Sequence, residues 1–283
     1  MKAELHCHTT ISDGSFSFDD LLLLAMGEQV SHLAITNHDT TIGLSDMIEK
    51  GKQNDIEIIP GIEISSYDVE RERKVHILGY FIKPGHPAIQ QLCDPLLAAR
   101  HEACYQMVQR VIEAGYDISW EQVQKFASGG TGVYKQHIMH ALIEKGYTES
   151  IYGELYKTLF SRGQNKAAVG IAYIPVEYVK PSLAIQVILE AGGVPVLAHP
   201  GQYKNFDAVP ELVESGLQGI EVWHPLHSTA DCEMAKRYAA KYGLIQTGGS
   251  DFHGFYGERD VTLGCNHPGT ENLQVLLERK LKI

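Results

Sequence analysis

The feature that most constrains this chain is a rhythm of short apolar strands and amphipathic helices. The pattern predicts strands over 2–7, 32–37, 57–60 and 75–80, with helices over 21–29 and 44–53 between the first three. Ser17-Phe18-Asp19-Asp20 stands before the first helix as a capping-box-like start. After a long interruption the rhythm returns, with helices over 182–191, 206–215, 230–242 and 272–280 and strands over 194–198, 219–223 and 244–247. Strands alternating with helices in this way make βα units and a mostly parallel α/β sheet. A hairpin-like crossing is expected between 65 and 75.

The interruption is helical throughout. Leu92, Leu96, Ala99, Ala103, Met107 and Val111 recur near helical spacing inside a helix expected over 89–114. Further helices are expected over 120–126, 137–145 and 154–160, with joints such as Gly129-Gly130 between them. The expected organisation is a main domain of 1–85 plus 170–283, carrying an inserted helical cap of 86–169.

What stands at the strand ends points to chemistry. His6 and His8 are two residues apart, so on a strand they share a face. Asp13 follows five residues later. His38, Glu63, His199, the pair His224 and His227, and the pair Asp251 and His253 all fall at or just past the end of an expected strand. In a βα barrel those ends share the rim that carries the active site. Core histidines have no reason to collect there, so most of these residues are expected to form one metal cluster. His76 lies within a strand of its own. Cys7, between two ligands but on the other side of the strand, is expected in the core.

Composition narrows the class. A formal net charge of −11 argues against a general nucleic-acid binder. It leaves room for an anionic substrate, because bound divalent cations reverse the local sign. The five cysteines show no C-x-x-C spacing, which disfavours a disulfide framework or zinc knuckle and fits a reducing cytoplasm. No basic-then-apolar leader is visible, and runs such as 21–26 are too short to span a membrane. A cytoplasmic protein without membrane association is expected.

The motifs His6-Cys7-His8, Ser12-Asp13-Gly14, Thr36-Asn37-His38-Asp39, Gly61-Ile62-Glu63-Ile64-Ser65, Val75-His76-Ile77-Leu78-Gly79-Tyr80, Ala198-His199-Pro200-Gly201 and Gly249-Ser250-Asp251-Phe252-His253-Gly254 together resemble the PHP (polymerase and histidinol phosphatase) family of metallo-phosphoesterases. The insertion, with His137-Ile138-Met139-His140-Ala141-Leu142, resembles the subgroup that dephosphorylates nucleotides, known as 5′-3′ exoribonucleases and 3′,5′-nucleotide bisphosphate phosphatases. The resemblance implies a distorted, TIM-like (β/α)7 barrel around two or three divalent ions. By resemblance, His6, His8, Glu63 and Asp251 would hold one ion; Asp13, His38 and His253 a second; His76 and His199, with Glu63, a third. Asp13, Glu63, His199 and His253 would be the catalytic members of that set. Imidazole mixed with carboxylate suits Mn, Fe or Zn better than Mg or Ca. The implied substrate is a small phosphorylated nucleotide, a 3′,5′-bisphosphate or the 5′ end of an RNA, without stable nucleic-acid binding.

Around this set, Asp39 is expected either to orient His38 or to cap the following turn. Asn37 stands where related sequences often carry Asp. Arg100, Lys135, His137, Arg162 and Lys166 are candidate phosphate binders, since fixed cations suit phosphate. His227 is expected to line the substrate pocket, and His32, His86, His101 and His267 to lie at the surface. Two alternatives stand beside the phosphoesterase: an amidohydrolase using the same activated water, and a non-catalytic scaffold. A scaffold would be expected to have lost some ligands, whereas the set here looks complete.

Overall fold

The computed structural model describes residues 1–163 and 168–280. Seven strands form one sheet in sequential order: β1 (Lys2–Cys7), β2 (Val30–Ile35), β3 (Glu57–Asp68), β4 (Arg73–Tyr80), β5 (Val194–Leu197), β6 (Gly219–Trp223) and β7 (Ile245–Gly248). The pairs β1–β2, β2–β3, β5–β6 and β6–β7 are parallel, while β4 runs antiparallel to both β3 and β5. The segment just past β7 then returns to β1 through a parallel bridge between Cys7 and Phe252.

The strand expected to stop at Pro60 instead continues to Asp68. Pro60 lacks an N–H, and it sits where β3 changes partner. Residues 57–60 pair with β2, and from Gly61 onward the strand pairs with β4. Gly61 permits the change, because a Cβ there would stand 2.9 Å from the Ile35 carbonyl oxygen.

Helices α1 (Phe18–Gly27), α2 (Leu44–Gln53), α7 (Pro181–Glu190), α9 (Val209–Glu214), α10 (Thr229–Tyr242) and α11 (Thr270–Lys280) surround the sheet, and one short turn, α8 (Pro200–Tyr203), follows β5. Ser17 caps α1 through the Asp20 N–H, as the sequence pattern requires. Leu21 and Ala25 of α1, Met47 of α2, Ile185 and Ile188 of α7 and Ala235 of α10 share a core with Leu33, Ile35, Ile77 and Ile220 of the strands. A second cluster gathers Ala3 and Leu5 of β1, Ala34 of β2, Ile59 of β3, Tyr80 of β4, Val196 of β5 and Ile245 of β7, together with Leu273 and Leu276 of α11. Strands from both ends of the sheet therefore bury side chains against one another.

Between β4 and α7 lie α3 (Pro87–Glu113), α4 (Trp120–Phe126), α5 (Lys135–Glu144) and α6 (Glu154–Phe160). Ile89 and Cys93 at the start of α3 belong to the main core. Farther along, Met107 and Val111 of α3 pack with Val123, Ile138, Leu142, Leu159 and Phe160 in a separate core. Tyr256, from the loop after β7, joins that second core and ties the insertion to the main body. Among the described residues no helix is long and apolar enough to cross a membrane.

Candidate metal centre

Each strand end delivers its side chain by a specific local device. His8, just past β1, donates its N–H to the Phe252 carbonyl (2.9 Å), and Phe252 donates back to His6 (3.3 Å). The chain then turns: Ser12 and Gly14 both donate to the Thr9 carbonyl at 3.0 Å, which folds Asp13 back toward His8. Asn37 pins this turn from beneath, its Oδ1 accepting from the Thr9 N–H (2.8 Å) and the Ser12 hydroxyl (2.9 Å). His199 and Asp251 are held at φ 27° and 49°, in the left-handed region that non-glycine residues rarely adopt.

The side chains converge on three carboxylates. Glu63 is the innermost and almost fully buried. Its Oε1 lies 2.8 Å from His76 Nδ1 and 2.9 Å from His199 Nε2. Its Oε2 faces His6 Nε2 at 3.3 Å, His8 Nε2 at 3.2 Å and His38 Nδ1 at 3.2 Å. Asp251 Oδ1 stands 3.2 Å from both His6 Nε2 and His8 Nε2. Asp13 Oδ1 lies 3.3 Å from His253 Nε2 and 3.6 Å from His8 Nδ1, and its Oδ2 lies 3.7 Å from His38 Nε2. Three groups result, each with its ligand atoms within 4.8 Å of one another: His6, His8, Glu63 and Asp251; His8, Asp13, His38 and His253; and His38, Glu63 and His76.

These donor sets fit divalent cations. His6 Nε2, both nitrogens of His8, His38 Nδ1, Asp13 Oδ1 and Asp251 Oδ1 are buried without a hydrogen-bond partner. A neutral imidazole carries one N–H, yet His8 turns both nitrogens toward carboxylates. Buried polar atoms are rarely left unpaired, and cations between the nitrogens and the oxygens would satisfy them all. Support behind the set is in place. Glu221, fully buried, sits 3.1 Å from His6 Nδ1 and accepts from the His199 N–H at 2.8 Å. His253 Nδ1 lies 2.8 Å from the Asp251 carbonyl, leaving its Nε2 free for Asp13. Such partners fix which nitrogen is presented to a metal.

Electrostatics agree with this geometry. Burial pushes the Glu63 carboxyl up, but His38, His76 and His6 outweigh it and hold the group well below its ordinary range. Asp13 and Asp251 are also held low against burial, chiefly by His38 and His6 respectively. Burial lowers His38, His76 and His199. It also opposes charge on His253, yet Asp13 and Asp251 bring that ring up to about 9. Carboxylates that draw protons onto histidines in this way would draw metal cations as well, with release of those protons.

A cavity of about 460 Å³ opens onto Asp13, His38, Glu63, His76, His199, Asp251 and His253. Lys135 and Arg162, expected phosphate binders, line it, and so does Lys74, which the sequence did not single out. Lys74 is pushed down to about 8 by burial and by Arg162, and Lys135 to about 8 by burial and by Lys74. Lys135 lies over the rings of Phe160 and Tyr173, and Arg162 over Tyr67 and Tyr178.

Other expected binders are engaged elsewhere. Arg100 lines the cavity but spends one nitrogen on Asp39 (2.6 Å) and Ser65 Oγ (3.0 Å). Asp39 therefore serves Arg100 and the Ser65 N–H (2.7 Å), rather than His38 or a helix cap. His137 is buried and accepts the Tyr134 N–H at 3.1 Å, so it caps α5 instead of facing the cavity. His227 bridges the Val222 carbonyl (2.9 Å) and the Gly201 N–H (3.1 Å), also away from the cavity. His32 is buried, contrary to expectation, beside Ser31 and Glu57. His224 lies 3.4 Å from Asp251 Oδ2. Cys7 is in the core as expected, and Lys166 lies outside the described residues. Lys74 and Glu221 escaped the sequence reading. Glu221 was the more accessible of the two, as the one acid inside the apolar strand β6, just before His224.

Similarity to known proteins bears on this site. The PHP domain model matches residues 4–180, well over half of the chain. The chain belongs to the PHP family. A phosphoribosyl 1,2-cyclic phosphate 1,2-diphosphodiesterase from Eggerthella lenta is 43% identical over 91% of this chain and 96% of its own. The PHP-family 5′-3′ exoribonuclease Rnm of Escherichia coli is 31% identical, with 88% and 84% covered. A 3′,5′-nucleoside bisphosphate phosphatase from Chromobacterium violaceum is 28% identical, with 91% and 90% covered. Among solved structures, a candidate metal-dependent phosphoesterase from Bifidobacterium adolescentis matches with a TM-score of 0.86 at 27% identity, over 98% of this chain and 95% of that one. An amidohydrolase from C. violaceum, at 24% identity over 99% and 97% of the two chains, shares the fold with a TM-score of 0.83.

Proposed function

We propose that this PHP-family hydrolase, a metal-dependent phosphoesterase, acts on a ribose that carries two phosphate groups. The nucleoside 3′,5′-bisphosphate and the 5′ end of a short RNA are the favoured forms. The observation that carries the reading is the convergence of unpartnered histidine and carboxylate atoms beneath a cavity walled by Lys74, Lys135 and Arg162. In this reading, His6, His8, Glu63 and Asp251 hold one ion and Asp13, His38 and His253 another. His76 and His199 complete a third position with Glu63. The two close groups around His8 and the shared Glu63 fit two or three ions of the Mn, Fe or Zn type. Divalent ions held there supply an activated water near neutral pH and neutralise charge on the phosphoryl oxygens.

The chain's own residues do the rest. Glu221 and the Asp251 carbonyl keep His6 and His253 in one tautomer. Lys135 and Arg162 meet a second phosphate as fixed cations, with Lys74 in the same cavity wall, and Arg100 braces Asp39 and Ser65. The sheet is read as closing into the distorted (β/α)7 barrel. Residues 86–169 are read as a cap over its rim, and 1–85 plus 170–283 as the catalytic body.

With Mn supplied, the test follows phosphate release from a nucleoside 3′,5′-bisphosphate, phosphate or mononucleotide release from a 5′-phosphorylated oligoribonucleotide, and amine release from a panel of amides. Turnover confined to the amides would overturn the reading. The 43% identity to the Eggerthella lenta enzyme favours a second substrate, a phosphoribosyl 1,2-cyclic phosphate, which likewise offers ribose with more than one phosphate. It belongs in the same assay.

A further inference from the structure

Among the described residues, the helical insertion hydrogen-bonds to the candidate metal centre at one point, beside the Tyr134 ring stacked on His38. Gln136, in the first turn of α5, donates from Nε2 to Asp13 Oδ2 at 3.0 Å and to the Tyr152 hydroxyl oxygen at 3.1 Å. Among the described residues, this is the one hydrogen bond from the insertion to a proposed metal ligand. It does not stand alone. The joint that leads into α5 grips the same turn of chain, because Thr131 donates to the Ile11 carbonyl through its N–H (2.8 Å) and its hydroxyl (3.0 Å). Gly130 allows this approach, since a Cβ there would lie 2.5 Å from the Thr10 carbonyl oxygen.

Asp13 depends on such support more than Glu63 does. Glu63 is fixed within a strand paired on both sides, whereas Asp13 rides on a turn. Its Oδ1 is buried without a hydrogen-bond partner, and its distances to His8, His38 and His253 run from 3.3 to 3.7 Å. With one Gln136 hydrogen on Oδ2, the other oxygen is left as the strong acceptor facing the histidines. The second hydrogen falls on Tyr152, whose own O–H remains free to donate into the cavity that it lines.

We propose that Gln136 is a positioning residue through which the insertion completes the metal position formed by His8, Asp13, His38 and His253, and through which Tyr152 is held as a hydrogen-bond donor toward substrate. The proposal rests on the metal-centre reading above. Removing an outer partner of a metal ligand typically costs about 10- to 100-fold in metal affinity or activity.

The experiment titrates Mn into metal-stripped full-length protein by calorimetry, for wild type, Gln136→Leu, Gln136→Asn and Tyr152→Phe, with kcat and KM on p-nitrophenyl phosphate at limiting and saturating Mn. Gln136→Leu is expected to weaken one class of Mn site by about tenfold or more and to leave the others unchanged. Its activity should fall at limiting Mn and recover at saturating Mn. Gln136→Asn keeps the amide but is a methylene too short to reach, so it should behave like Gln136→Leu. Tyr152→Phe should keep the Mn affinities and raise KM. Wild-type affinities in every class for Gln136→Leu would overturn the proposal and leave the metal centre standing. Wild-type protein that takes up no Mn would overturn the metal-centre reading itself. A uniform loss of affinity in all classes together with a lower melting temperature would mark Gln136 as a folding residue, and the proposal would be wrong.

Discussion

At the scale of single residues, Glu63 and Lys135 make opposite predictions. Glu63 faces five histidine nitrogens within 3.3 Å, so Glu63→Gln should reduce bound metal at more than one position. It should also lower kcat further than any change in the cavity wall, as elemental analysis and steady-state rates would reveal; unchanged metal content would show that Glu63 holds no ion. Lys135 should act on binding. A charge-assisted contact is typically worth about 1.5–3 kcal/mol, so Lys135→Ala should lower kcat/KM on a bisphosphate by about ten- to a hundredfold while p-nitrophenyl phosphate is spared. Because burial brings Lys135 down to about 8, its cation is present below that pH and lost above it. KM for the bisphosphate should therefore stay flat up to about pH 8 and rise beyond, and Lys135→Ala should make the rise shallower, the remainder belonging to Lys74 in the same wall. A KM profile identical in wild type and Lys135→Ala would remove Lys135 from the substrate site. The sequence revealed the candidate ligands because residue type and strand-end position coincide, and the structure brings those side chains together. It could not reveal that Arg100 is taken by Asp39 or that His137 is taken by a helix end, since both facts depend on contacts between distant segments.

At the scale of elements, the candidate metal centre is set by how strands abut. Gly249, just past β7, lies against β1: a Cβ there would stand 2.4 Å from His6 Cβ and 2.6 Å from its backbone nitrogen. Both atoms sit in paired structure, so neither can yield cheaply. Gly249→Ala should cost about 1–3 kcal/mol of stability by overpacking and displace His6, visible as a lower melting temperature and weaker Mn binding together. A variant that melts and binds like wild type would mean that β1 and the end of β7 are not packed as described. The helix and strand periods made most elements legible: 44–53, 120–126, 154–160 and 219–223 fall as expected. The exchange of partners along β3 was not legible, because the switch at Pro60-Gly61 resides in pairing and leaves no mark on hydrophobic period.

At the scale of the whole molecule, a group of buried histidines and carboxylates is assembled from β1, β3, β4 and the ends of β2, β5 and β7. Its unpaired buried atoms should make the metal-free protein the weaker one. A ligand present at 100 times its Kd stabilises by about 2.7 kcal/mol. Chelation should thus lower Tm as well as abolish activity, and Mn should restore both; an unchanged Tm on chelation would show that the cluster is stable without ions. The bridge between Cys7 and Phe252 also has a consequence in time. His6, His8 and Asp13 are synthesised first, and Asp251 and His253 follow more than two hundred residues later. At about 5–20 residues per second, the emerging chain carries half-built sites for on the order of ten seconds or longer. A site that needs all of these side chains would therefore select its ion only once the chain is complete.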